Sequence, residues 1–132
     1  MMLKYKVRGI DLRIWLSNGI YFFPPESAEG KTFVYSLLKD VRGWDDTVLP
    51  LTYRDYTDGM NIPNLLRSKE YTVVMLDRFD LYQTRDIADV LGELSYKIPI
   101  MIDVKNELIG YRGILSGCYI EFTAGKLEVL PV

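Results

Sequence analysis

Between positions 24 and 32 the chain reads PPESAEGKT, from Pro24 to Thr32. The stretch follows the apolar run GIYFF at 19–23 and precedes Phe33, Val34, Leu37, Leu38 and Val41, which recur at helical spacing. Gly30, Lys31 and Thr32 thus sit where an expected strand gives way to an expected helix. A helix start offers backbone N–H groups and partial positive charge, which suit an anion. Whether the rest of the chain builds a sheet around this turn decides the fold.

Upstream, residues 3–7 alternate in one phase and Ile10, Leu12, Ile14 and Leu16 in the other, the period of half-buried strands. Gly9 is expected to mark the bend or bulge between them. Ser17, Asn18 and Gly19 predict a tight turn that would pair residues 10–16 with the strand at 20–23. That strand is apolar throughout, as expected when both faces are covered.

Downstream, Gly43 is expected to stop the helix that begins at Lys31. Residues 48–53 read as a strand that Pro50 confines to an edge, and residues 54–61 (RDYTDGMN) read as a loop. Residues 62–67 predict a short helix with Pro63 in its first turn. YTVVML at 71–76 is β-branched, apolar and uninterrupted, the clearest strand in the chain, and it ends in Asp77. Thr84 to Tyr96 predicts a helix with Thr84 as cap, Asp86 in its first turn, and Ile87, Val90, Leu91 and Leu94 on one face. KIPIMIDV at 97–104 is another buried strand, and the tail predicts a hairpin turning at Ala124 and Gly125.

A phosphate-binding loop reads G-x-x-x-x-G-K-[ST] between a strand and a helix. Residues 25–32, PESAEGKT, match it with Pro25 at the first glycine. The second element such a site needs is an apolar strand ending in an acid, and VVMLD, ending in Asp77, supplies it. In these two motifs, a degenerate Walker A and a Walker B-like strand over about residues 20–104, the chain resembles the P-loop NTPase superfamily. The resemblance and the strand–helix alternation imply one α/β domain over residues 1–132. Its central sheet would be mostly parallel and flanked by helices, P-loop NTPase-like, with antiparallel strands added at the N- and C-terminal ends.

The resemblance also implies a site. Glu29, Gly30, Lys31, Thr32 and Phe33 would surround the phosphates of ATP or GTP, with Lys31 on the phosphates. Thr32 and Asp77 would hold Mg²⁺. Arg78 stands where many relatives carry a water-polarising glutamate, so Asp80 is the catalytic stand-in. Asp103 ends the next strand, where related ATPases often carry a residue that senses the γ-phosphate. Pro25 has no N–H and a fixed φ, and Glu26 and Glu29 put negative charge beside an anion site. The implied activity is therefore weak nucleotide and Mg²⁺ binding with slow or no hydrolysis. The alternative is a non-catalytic protein-interaction module that keeps such a fold without nucleotide. Its partner would meet the loop at 53–60, YRDYTDGM, with Tyr53, Tyr56, Tyr71 and Tyr82 edging a cleft or the interface, the alternative for these rings being a core or half-buried place.

Composition bounds the rest. The formal charge of −2 and pI near 5.1 argue against a nucleic-acid-binding surface. The chain has no histidine and one cysteine, Cys118, which removes the commonest general base and leaves no basis for a zinc site. No window approaches the roughly 18 apolar residues of a membrane span. The charged start, MMLKYKVRGID, lacks the apolar stretch of a signal peptide, and a cytoplasmic location is expected.

Overall fold

The computed structural model describes residues 2–25, 28–105 and 110–132, the side chains of 28 and 29 excepted. In chain order the strands are β1 (Leu3–Val7), β2 (Ile10–Ile14), β3 (Gly19–Phe22), β4 (Val48–Leu51), β5 (Val73–Leu76), β6 (Pro99–Ile102), β7 (Leu115–Thr123) and β8 (Lys126–Pro131). The helices are α1 (Ala28–Arg42), α2 (Tyr53–Thr57), α3 (Ile62–Arg67) and α4 (Arg85–Leu94). The strands form one eight-stranded sheet in the order β1-β2-β8-β7-β3-β6-β5-β4.

Every residue of β4, β5 and β6 is buried, because both faces of that half of the sheet are covered. On one face Tyr21, Val48, Val73, Met75 and Met101 pack with Val34, Leu37, Leu38 and Val41 of α1. On the other, Leu49, Leu51, Val74, Leu76, Ile100 and Ile102 pack with α3 and α4 through Ile62, Leu66, Ile87, Val90 and Leu91. The two sets alternate along each strand, as the pleat requires. Thr84 caps α4 by accepting a hydrogen bond from the Ile87 N–H at 3.2 Å. Pro50 lies in β4, which ends the sheet, so its missing N–H leaves no ladder bond unmade.

The sheet corrects the expectation of a mostly parallel, P-loop NTPase-like sheet with antiparallel strands added at its ends. It is mixed. β1–β2 and β7–β8 are antiparallel hairpins, and they merge through a parallel β2–β8 pair. The C-terminal hairpin is therefore internal, between β2 and β3. The reason is burial. Leu12, Ile14, Leu127 and Val129 are apolar on one face only, and they share the cover of α1 with the other half of the sheet. Joining the hairpins into one surface puts all four under that helix.

Two local expectations change as well. Ser17 and Asn18 do not close a hairpin, since β3 pairs with β6 and β7 and not with β2. Gly9 belongs to a two-residue turn with Arg8, both left-handed at φ 71° and 51°, the geometry that matches strand twist.

The parallel β3–β7 contact depends on a close approach. Gly113 adopts φ +96°, and a Cβ there would stand 2.1 Å from Ser95 Oγ and 2.8 Å from the Gly92 carbonyl. Ser95 Oγ in turn accepts from the Ile114 N–H at 3.0 Å, and the Ile114 carbonyl accepts from the Ile20 N–H. Gly113→Ala is expected to lose about 1–3 kcal/mol from the backbone conformation alone, with the clash added. Gly9→Ala, which meets open space, loses only the conformational part. Urea denaturation of the two variants checks the difference.

Candidate functional site

The carboxyl ends of β3, β4, β5, β6 and β7 point the same way, the side of an open α/β sheet where ligands bind. The ladder continues a step beyond the strands. The Asp77 N–H donates to the Leu51 carbonyl at 2.8 Å, and the Asp103 N–H to the Leu76 carbonyl at 3.0 Å. The Phe79 N–H then donates to the Asp103 carbonyl at 2.8 Å. Both acids are held by backbone before their side chains do anything. Arg78, at φ 48°, turns the chain left-handed between them and a short 3-10 turn at Phe79–Leu81.

Lys31, in the first turns of α1, reaches this end. It is 3% exposed and Asp103 4%. Lys31 Nζ lies 2.7 Å from Asp103 Oδ1 and donates hydrogen bonds to the carbonyls of Pro24 at 3.1 Å and Pro25 at 3.4 Å. Asp103 Oδ1 makes no hydrogen bond of good geometry, so the contact is one of charge. Asp77 is half-buried. Burial pushes its carboxyl above the usual range, the neighbouring charge of Asp103 adds to this, and Arg78 and Lys31 oppose it.

Of the residues singled out in the sequence, Lys31, Asp77 and Asp103 are thus brought together. The others lie differently. Thr32 is exposed. The Phe33 ring packs 6.0 Å from that of Phe122 on β7. Gly30 lies where a Cβ would meet Ile120 Cδ1 at 3.1 Å, so helix-to-strand packing already accounts for a glycine there. Asp80 is turned to Arg78, at 3.3 Å. Burial pushes the Asp80 carboxyl up, but the hydrogen bonds from Arg78 and the Lys105 backbone outweigh it and leave it below its usual value. Glu26 and the side chain of Glu29 lie outside the described residues. Among the described residues no three acidic or cysteine side chains gather as a metal-holding group.

Beside these groups the structure places aromatics that the sequence scattered. Tyr53, Tyr56 and Tyr82 have ring centroids 6.1 to 6.5 Å apart. Phe79 meets Tyr82 at 5.1 Å, and Tyr111 and Phe22 continue the contact inward. Residues 53–57 form the helix α2 in place of the expected loop. The signal was present: Thr52 precedes it, and the Asp55 carboxylate accepts from the Thr52 N–H at 2.9 Å, one half of a capping box with aspartate in the usual place of glutamate.

No family model, curated protein or solved structure matches the chain. No helix among the described residues is long and apolar enough to cross a membrane.

Lys31→Met leaves Asp103 buried without its counter-charge, and about 3–5 kcal/mol of stability is expected to go with it. Adding Asp103→Leu should recover most of that loss, because an apolar pair can replace a buried ion pair. Urea midpoints of the single and double variants test the coupling. Asp77 has the opposite sign. Its raised pKa means that folding favours the protonated form, a contribution present at low pH and lost as pH rises through the folded value. Asp77→Asn should therefore raise the urea midpoint at pH 7, with the gain vanishing near pH 3, below the usual aspartate value of about 3.9.

Proposed function

We propose that this domain is a non-catalytic protein-interaction module that works through the carboxyl end of its sheet. One observation carries the reading: Lys31, the cation that the start of α1 brings to these strand ends, is already engaged by Asp103. An anion would have to draw Lys31 away and leave a buried carboxylate unpaired, at a cost of several kcal/mol. Asp77 adds a second negative charge on the same side. The contact surface is the one around Tyr53 and Tyr56, exposed aromatics of the kind enriched in interfaces.

A second reading, weak binding of ATP or GTP with Mg²⁺ and slow or no hydrolysis, is favoured by one feature. Lys31 sits at the start of α1, beside strand ends where β6 lies on one side of β3 and β7 on the other. That is a topological switch point, the usual place for a ligand in an open α/β sheet. In this reading Thr32 and Asp77 serve the Mg²⁺, and Asp80 stands nearest to a catalytic role.

Thermal unfolding separates the two. A nucleotide at about 100 times its dissociation constant stabilises by about 2.7 kcal/mol, a shift of several degrees in a domain of this size. The interaction reading expects no shift with millimolar ATP or GTP plus Mg²⁺. A shift in the parent that is absent from the Lys31→Met, Asp103→Leu double variant would replace it with the second reading.

A further inference from the structure

We infer that the tyrosine surface of α2 docks an arginine-bearing segment of a partner protein. The inference rests on the interaction reading and adds the partner's chemistry. Tyr53 and Tyr56 are 43% and 44% exposed, whereas Tyr82, which completes the trio, is 3% exposed. The three planes lie within 34° of one another. Tyr82 is fixed from below by its hydroxyl, which donates to the Leu51 carbonyl at 3.3 Å, and by Phe79 edge-on at 5.1 Å. The outer rings therefore rest on a built floor. Met60, which follows α2, and Leu81, in the turn after β5, are 42% and 49% exposed.

Charge decides what fits. Asp55 and Asp77 both act on the buried Tyr82 hydroxyl and on that of Tyr35, which places the two acids on this side of the domain. Asp58 follows α2 directly and is exposed. Of the cations, Lys31 is held by Asp103 and Arg78 by Asp80. Among the described residues Arg54 and Lys105 remain against Asp55, Asp58 and Asp77, which leaves the acids in excess. An aromatic face with an acidic surround repels nucleic acid and favours a cation over the rings. A guanidinium suits it better than an ammonium, because it is planar, stacks on rings and is more weakly hydrated.

The test is an NMR titration of the full chain with the capped peptide Gly-Arg-Gly-Arg-Gly, set against its citrulline and lysine counterparts. The expected result is a saturable shift of the Tyr53 and Tyr56 ring signals with the arginine peptide. Affinity should be several-fold weaker for the lysine peptide and lost for citrulline. The Tyr53→Ala, Tyr56→Ala variant should bind on the order of tenfold less tightly, about threefold per ring. Both side chains are surface ones, and an unchanged urea midpoint verifies the fold. Equal response to citrulline, undiminished binding by the double variant, saturation by adenosine in place of arginine, or a ring shift that follows self-association would each overturn the inference. Its failure leaves the interaction reading standing unless the nucleotide shift also appears, which is measured separately.

Discussion

The buried contact between Lys31 and Asp103 is the constraint on which the arrangement turns. A lysine and an aspartate taken out of water must find each other, since either alone would be far too costly. Here the lysine also takes the carbonyls of Pro24 and Pro25. The chain leaving β3, the first turns of α1 and the end of β6 are thereby drawn to one point. With its start fixed, the 15-residue α1 can lay Val34, Leu37, Leu38 and Val41 along the sheet. A role for Lys31 toward any ligand would compete with this structural one.

The second organising feature is the unequal cover of the two sheet faces. α1 serves one face across both halves, while α3 and α4 serve the other only over the parallel half. The remaining area, over β1, β2, β8 and β7, is left to side chains that tolerate water. Lys4, Arg13, Glu128 and Glu121 stand in register across the four strands there. Glu128 accepts from the Trp15 indole at 2.6 Å, and Asp11 from Arg13 at 2.8 Å. Charges of both signs over a partly exposed sheet keep it from inviting another sheet.

The legible part of this fold was its local periodicity. Uninterrupted apolar runs gave β3, β5 and β6, the helical spacing after Lys31 gave α1, and Thr84 gave the start of α4. Pro50 placed β4 at an edge. What could not be read was pairing. β2 and β8 each alternate apolar and polar residues as any half-covered strand does, and nothing in either says that the other is its neighbour. Ser17-Asn18-Gly19 has turn chemistry, yet the competing ladder bonds of β3 with β6 and β7 prevailed over it. At the site, motif spacing brought Lys31 and Asp77 to the same end of the sheet. It could not show that Asp103 would meet the lysine, because that depends on β6 lying between β3 and β5. The same limit hid how the tyrosines sort. Tyr53, Tyr56 and Tyr82 stand out in the sequence together with Tyr71, yet Tyr82 is buried beneath the other two of its trio while Tyr71 is buried in the core.

The parallel pairing of β2 with β8 carries a consequence for how the chain is made. Trp15 and Glu128, hydrogen-bonded through their side chains, are 113 residues apart in sequence. On the ribosome β2 emerges ahead of its sheet neighbour β8, which follows every other described strand. Until then β2 exposes an unpaired edge, and Leu12 and Ile14 lack their companions Leu127 and Val129. Such long-range closure is slow, and an open strand edge is a template for wrong partners while it lasts. Lys4, Lys6, Arg8 and Arg13 outnumber Asp11 along the nascent hairpin, and that net positive charge supplies the repulsion that would keep two growing chains apart during that wait.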